Sequence, residues 1–436
     1  MLKPIHPMCV LLAAALGLLS CGARAQSLTL KEALKLAQEH NPDVRQAELA
    51  VQGAQANVTI AGAAPNPVLT LQSFNINPNA GVGAGSLRSK TVDSAVRVDQ
   101  LIERGGKRAL RVENADLLAS ASAGDARDTR RQVGLLVAQA YYDLMAANER
   151  LAILRETAQL FDQTVAAAQK RRKAGDLAGA DVARAQVDAG RAHSDALQAE
   201  SDLYQARQTL AWLTGQNANA ATLQAADGWP AAQASQAPQA RPASGIGLDD
   251  DEAVLARRPD VLAAVARLDA AQAARKLALA QRSADVTVGV QAEHYPTSAT
   301  NTQGSGNSFG IALQIPLQVR YAYQGEIRAA DAALDAAREH LQQTRAQARA
   351  DLDLARERLR SSAAVLARYE DADGLLPAAR KSADAAEFAF QHGALAIMDL
   401  LDVRRTYRNT QLDALAARAA YAKALAALRA AASEGK

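Results

Sequence analysis

Residues that could do chemistry are few in this sequence, and they are widely spaced. Both cysteines lie within the first 21 residues, and Met145 and Met398 are the only methionines after Met8. The histidines beyond the first segment show neither HxxxH nor HExxH spacing: His40, His193, His294, His340 and His392. Soft ligands and paired imidazoles, which high-affinity metal sites need, are therefore lacking. We predict no catalytic site, no resident metal and no cofactor.

One pair of carboxylates has a spacing that could act on ions. In HGALAIMDLLDVRRTY (392–407), Asp399 and Asp402 are three residues apart, on one helix face just after a turn at Gly393. Carboxylates at a constriction attract cations. The alternative is a solvated helix face on which they pair with Arg404 and Arg405. The spacing alone leaves both interpretations open.

The composition predicts how such residues are positioned. The 436-residue chain is 49% hydrophobic and rich in alanine, yet only 4% aromatic. Small side chains let long helices approach closely, so we predict long, tightly packed helices rather than an ordinary globular core. The net charge of +3 gives no reason to expect a nucleic-acid partner.

The first 25 residues have the pattern of a signal peptide. Lys3 precedes an apolar stretch (8–20), and ARA (23–25) offers a cleavage site before Gln26. The alternative is a lipoprotein signal, in which LLSC (18–21) presents Cys21 for acylation. No later run reaches about 18 apolar residues, so a helical membrane anchor is not expected.

The rest of the chain is an internal repeat with an offset near 217. NPDV (41–44) matches RPDV (258–261), and Gly175 matches Gly393. We predict a first repeat over 26–216 and a second over 248–436. The segment between them, 217–247, is rich in Ala, Gln and Pro and indicates a linker or lateral insertion.

Each repeat contains two predicted strands: 66–76 and 92–101, then 285–295 and 309–317. Apolar and polar residues alternate along most of them, over about ten residues each, as in tilted strands that cross a bilayer. Four strands do not close a barrel, and open edges in lipid are costly, so membrane strands would require oligomerisation. The alternative is a small half-buried sheet in a soluble protein.

Long helices follow the strands. From Lys107 to about Arg172 there is no proline, which predicts a helix about 100 Å long. Gly105 and Gly106 would let the preceding strand turn into it, with Lys107, Arg108 and Arg111 near a membrane–water boundary. The matching region of the second repeat has Pro316 and Gly325 instead. The long helices reverse near Gly175 and Gly393.

With this duplicated order of helices, strands and helical hairpins, the sequence resembles the TolC family of outer-membrane efflux proteins along the whole mature chain. NPVL (66–69) and QLIERGGKRALRV (100–112) resemble its heavy-metal, cobalt–zinc–cadmium branch. The resemblance implies a homotrimer in outer-membrane lipid, with one twelve-stranded β-barrel continued by an α-helical periplasmic tunnel. It also implies an exit duct without catalysis, coupled through a periplasmic adaptor to an inner-membrane RND-type pump.

The resemblance also assigns candidate site residues. Asp399 and Asp402 match aspartates that form acidic rings at the periplasmic entrance, and Asp181 matches a position that helps to close it. The reversals, Lys173–Asp176 and Gln391–Leu395, are the expected adaptor-docking tips, which include Gly175, Asp176, Gly393 and Leu395. Phe390 and Leu395 replace the tyrosine and arginine that form a polar lock in some relatives.

Two other functions stay open at this point. A duct of the same kind could carry drugs or secreted proteins, and a periplasmic coiled-coil scaffold would have no barrel.

Overall fold

The computed structural model describes residues 26–74, 76, 92–231, 251–297 and 304–432. The expected signal peptide with Cys21, the loop 77–91 and residues 232–247 of the expected linker lie outside the described residues.

The described elements of the first half start with a short strand and end with another. In chain order they are β1 (Gln26–Leu28), α1 (Leu30–His40), α2 (Pro42–Gly62), β2 (Val68–Phe74), β3 (Asp93–Ile102), α3 (Lys107–Lys173), α4 (Gly179–Leu213), a 3₁₀ helix (Asn217–Thr222) and β4 (Leu223–Ala225). Helix α3 has 67 residues and starts where the sequence predicts.

The second half repeats this order with one interruption. Its elements are α5 (Asp251–Ala256), α6 (Pro259–Ala280), β5 (Val286–Tyr295), β6 (Gly306–Gln314), α7 (Gln324–Glu370), α8 (Leu375–Gln391) and α9 (Ile397–Ala431). The break between α7 and α8 has no counterpart in α3. It contains Gly374 and is followed by Pro377, which lacks the N–H that a continuing helix needs.

One strand is displaced from its predicted position. Strand β6 covers Gly306–Gln314 rather than 309–317, so it starts and ends three residues earlier. The prediction was wrong at its end because Pro316 has no N–H to donate to a neighbouring strand.

The chain forms two compact units. One comprises the described parts of 48–126 and 259–346 and holds a four-stranded antiparallel sheet in the order β2-β3-β5-β6. The two halves of the chain meet at β3 and β5. In the same unit, a Cβ on Gly124 of α3 would lie 2.8 Å from the Cβ of Ala263 on α6. Only glycine permits this close approach of the two helices.

The other unit comprises the described parts of 1–47, 127–258 and 347–436 and is built on helical hairpins. Buried residues of α4 follow the alternating three- and four-residue spacing of a coiled-coil seam: Val182, Ala185, Ala189, Ala192, Ala196, Ala199 and Leu203. Facing residues of α3, Ala158 and Phe161, share a buried cluster with this seam. The many alanines thus lie where helix backbones approach most closely.

Strand β1 is fastened to the hairpin unit through Tyr141. It pairs in parallel with β4, and the buried Tyr141 hydroxyl lies 2.9 Å from the carbonyl oxygen of Leu28 and 3.0 Å from Asp227 Oδ2. Burial raises the pKa of Tyr141 to about 12. Trp229 stacks on Tyr142. Residues 223–229 thus pack against the hairpin unit, which agrees with a lateral insertion rather than a linker for that part of 217–247.

The NPDV and RPDV motifs mark two fully buried polar residues. Asn41 ends α1 and starts α2: its Oδ1 accepts from Asp43 N at 2.9 Å, and its Nδ2 donates to the carbonyl oxygen of Leu213 at 3.1 Å. Arg258, at the matching place, is 1% exposed and donates to the carbonyl oxygen of Ala348 at 3.2 Å. Each motif thus ties a helix start to another helix, and the proline that follows suits the first helical position.

Candidate functional site

Both hairpin tips are built in the same way. Gly175 and Gly393 follow the ends of α3 and α8 with left-handed φ values of 87° and 75°. One residue later, Asp176 N donates to the carbonyl oxygen of Arg171 at 2.9 Å, and Ala394 N donates to that of Ala389 at 2.9 Å. This is the Schellman arrangement, in which glycine is favoured because its backbone reaches this region without strain.

The two tips contact each other within one chain. The Arg171 guanidinium carbon lies 5.0 Å from the centre of the Phe390 ring, a cation–π contact. Below it, Ala168, Val182 and Ile397 form a buried cluster with Leu177, Phe390 and Met398 packed against it. Phe390, the residue that departs from the polar lock of the TolC family, thus joins the tips through apolar packing and a cation–π contact.

The three candidate gate aspartates lie at or near the starts of two neighbouring helices. Asp181 and Asp399 occupy the first turns of α4 and α9, and carboxylates there are favoured by the positive end of the helix dipole. Asp399 is exposed and Asp181 is half-buried. The Asp402 side chain is 78% exposed and lies 3.8 Å from the guanidinium of Arg405.

Arg404 and Arg405 have their main partners elsewhere. Arg404 pairs with Glu387 of α8 and donates to the carbonyl oxygen of Leu160 at 3.0 Å. Arg405 pairs with Asp188 of α4, whose side chain is only 8% exposed. Asp402 therefore shares the guanidinium of Arg405 with Asp188, and the structure describes no ion pair for Asp399. Of the pairing expected on a solvated face, the structure describes only the contact of Asp402 with Arg405, and the choice between a gate and a solvated face stays open.

Helix α9 is held by a series of ion pairs to its neighbours, which the sequence analysis missed. The pairs are Arg404–Glu387, Arg405–Asp188, Arg408–Asp195, Arg418–Glu149, Arg418–Glu370 and Lys423–Asp143. The run of arginines at 404, 405 and 408 was the available signal. The acids lie on α3, α4, α7 and α8, so no local pattern revealed the pairing.

The four-stranded sheet has two faces of opposite character. On one face, cross-strand rows are apolar and their large side chains are exposed, for example Leu69–Val98–Val290–Ile311 and Leu71–Val96–Ala292–Phe309. Phe309 and Ile311 are both 84% exposed. This face is suited to contact with lipid or with apolar protein surface.

The opposite face is polar. It carries the row Thr70–Arg97–Gln291–Gly310 and an ion pair of 2.8 Å between Arg97 and Asp99. The pair lies across Gly289, where a Cβ would overlap Asp99 Oδ1 and approach Arg97 Nη2 to 3.1 Å. Glycine at this position makes room for the ion pair.

The strand-to-helix junction is pinned to the segment before β5. Strand β3 ends at Ile102 and α3 begins at Lys107, with φ values of 70° and 69° at Gly105 and Gly106 between them. The Nζ of Lys107 donates to the carbonyl oxygen of Ser283 at 2.7 Å and pairs with Asp285 at 2.9 Å.

The expected boundary cations are therefore not equivalent. Lys107 is buried, and Arg111 pairs with Glu103, whereas Arg108 is exposed. The charge of Lys107 is paired inside the protein, and the position of all three residues near a membrane–water boundary stays a prediction.

The second junction turns at a residue that the sequence did not single out. Tyr323 lies in the left-handed region, with φ 61°, between Pro316 and Gly325. Gly325 lies in the first turn of α7 and its N–H donates to the Tyr321 hydroxyl at 2.9 Å. A side chain at this position would require the hydroxyl of Tyr321 to move.

Among the described residues, no group of three or more His, Cys, Asp or Glu side chains is placed to bind a metal ion. No helix in the described part of the chain carries an apolar stretch long enough to cross a bilayer.

The fold is that of outer-membrane channels. The CmeC outer membrane channel of Campylobacter jejuni superposes with a TM-score of 0.75 at 16% identity, covering 93% of this chain and 86% of that one. CusC, whose crystal structures concern folding and transmembrane channel formation, superposes with a TM-score of 0.74 at 20% identity, covering 92% and 91%.

The chain belongs to the outer membrane efflux protein family, whose sequence profile matches residues 33–216 and again 252–434. It is also 26% identical over 383 residues to the cobalt-zinc-cadmium resistance protein CzcC of Cupriavidus metallidurans, covering 88% of this chain and 84% of that protein. The resemblance seen in the sequence is thereby confirmed. The protein is an efflux channel of the outer membrane and not an enzyme.

Proposed function

We propose that three copies of this chain form one continuous duct that exports heavy-metal cations. In this assembly the four-stranded sheets join into a twelve-stranded barrel, with the apolar face of each sheet toward lipid and the Arg97–Asp99 face toward the lumen. Unpaired strand edges are costly in lipid, which favours closure. The hairpin unit supplies the periplasmic tunnel.

The cargo is proposed from a single observation, the 26% identity to CzcC along 88% of this chain. The site chemistry agrees with it: Asp399 and the 78%-exposed Asp402 present carboxylates that attract cations without binding them tightly. Energy for export comes from an inner-membrane RND-type pump, coupled through a periplasmic adaptor that docks on the two hairpin tips.

The cargo is tested in a Gram-negative host that lacks its own outer-membrane metal duct but keeps the pump and adaptor of this system. Expression of this chain is expected to restore growth in cobalt, zinc or cadmium salts and to leave sensitivity to drugs unchanged. Restored drug resistance without metal resistance would contradict the proposed cargo and leave the duct intact.

A further inference from the structure

The two hairpin tips have the same backbone but opposite surface chemistry. The last four residues of α3 are Lys170, Arg171, Arg172 and Lys173, whereas those of α8 are Phe388, Ala389, Phe390 and Gln391. Because the two hairpins are repeats of each other, each serves as a control for what the local fold requires.

The local fold does not require the cations. Basic residues in a last helical turn are usually explained by the helix dipole. Helix α8 has no basic residue in its last turn, yet it ends in the same Schellman arrangement with glycine at φ 75°. The basic residues in the last turn of α3 are therefore not needed to end the helix.

Three of the four cations are exposed, and the turn that follows them carries one carboxylate, that of the exposed Asp176. Arg171 lies against Phe390, but Lys170, Arg172 and Lys173 are exposed. In the part of the chain that the structure describes, none of these three forms an ion pair. Like charges so close together repel one another, and an opposite charge from outside the chain would relieve this repulsion.

The tip of α8 offers a neutral and partly apolar surface instead. Phe388 is 65% exposed, and its ring centre lies 4.1 Å from that of His392. The neighbouring tip residues Gln391 and Gly393 are uncharged.

We propose that the α3–α4 tip binds an acidic segment of the periplasmic adaptor, whereas the α8–α9 tip makes an uncharged contact with it. Carboxylates of the adaptor pair with Lys170, Arg172 and Lys173. The two tips thereby give the adaptor two different binding surfaces, which sets the register in which it docks. This inference rests on the proposed docking of an adaptor at the tips.

The test uses the full-length protein in detergent and the purified adaptor encoded with it. The affinity of the adaptor is measured at 50 and 300 mM NaCl for the unaltered protein, K170Q/R172Q/K173Q and K170R/K173R. Exposed ion pairs are each worth a few-fold in affinity, so the glutamine variant is expected to bind about tenfold more weakly at 50 mM. At 300 mM screening should nearly remove the difference.

Two controls make the result specific. The arginine variant keeps the charge and should bind as the unaltered protein does. Q391E adds a carboxylate at the position that matches Lys173. It should change the affinity by less than about twofold, since the adaptor surface proposed to contact this tip is uncharged. Circular dichroism verifies that each variant is folded.

The inference would be overturned if the glutamine variant bound the adaptor as tightly as the unaltered protein does at both salt concentrations. The docking proposal would survive that outcome if Gly175→Trp and Gly393→Trp still weakened binding. Absence of adaptor binding by the unaltered protein would overturn both.

Discussion

Replacing the proposed gate carboxylates, Asp399 and Asp402, tests whether they select the cargo. The double variant Asp399→Asn/Asp402→Asn removes two negative charges near the start of α9 with little change in shape. We expect reduced preference for cations and weaker block by divalent ions. Asp402 is 78% exposed, so its removal leaves no buried group unpaired.

The magnitude follows from Coulomb's law. A divalent cation about 5 Å from one carboxylate in water gains about 1.7 kcal/mol, which screening at 0.15 M salt roughly halves. Arg405, 3.8 Å from Asp402, offsets part of this gain, although its charge is shared with Asp188. Two carboxylates together are then worth about 1.5 kcal/mol per chain, or about tenfold in local divalent concentration.

Reversal potentials and divalent block are measured on single channels in planar bilayers. A matched control, Asp353→Asn/Glu357→Gln, removes two exposed carboxylates from α7, whose side chains are 66% and 63% exposed. It should leave selectivity unchanged. If the Asp399/Asp402 variant is folded and conducts with the selectivity of the unaltered channel, the two aspartates are only a solvated face and the gate proposal fails.

Three further predictions concern stability and are measured by circular dichroism during unfolding in detergent. Gly289→Ala should destabilise by up to about 1 kcal/mol, because its Cβ displaces the Arg97–Asp99 pair; Gly310→Ala, with open space at the Cβ, is its control. Asn41→Ala should lower the free energy of unfolding by about 2–3 kcal/mol, since it removes a helix cap and a buried hydrogen bond. Asn41→Ser, which can still cap the helix, should lose only about half as much. If the two variants lost equal stability, the role of Asn41 as a cap would be refuted. Because burial raises the pKa of Tyr141 to about 12 in the folded protein, its neutral hydroxyl stabilises the fold. This stabilisation is complete below pH 10 and is lost as the pH rises toward 12. This alkaline loss of about 2–3 kcal/mol should be absent from Tyr141→Phe, and an unchanged loss would contradict the assignment.

Local patterns predicted much of the fold. The absence of proline after Lys107 predicted α3, and alternation placed Val98, Val290 and Ile311 each on the apolar face of its own strand; the sheet register aligns these faces. These signals are local because a helix or strand face has a fixed period. Because the chain is a repeat, the helices and strands recognised in one half predicted those of the other half.

Residues whose partners are distant in sequence were not predictable in this way. Asp188 is buried because Arg405, 217 residues later, meets it, and no spacing within either helix records that contact. Tyr323 takes a left-handed conformation at the second junction, where the sequence drew attention to Pro316 and Gly325 instead. Polar residues in the NPDV and RPDV motifs were recognised as a repeat, but their burial depends on helices packed from elsewhere in the chain.

The channel itself is tested most directly by recording current from the purified full-length protein in a planar lipid bilayer. We expect discrete, reproducible conductance steps after insertion, carried by a protein that needs detergent to stay in solution. Phe309→Glu/Ile311→Glu, which places charges on the exposed apolar face of the sheet, should abolish insertion while the helices remain folded. Protein that stays soluble without detergent and carries no current, although circular dichroism shows its helices intact, would mean that the chain does not form a channel.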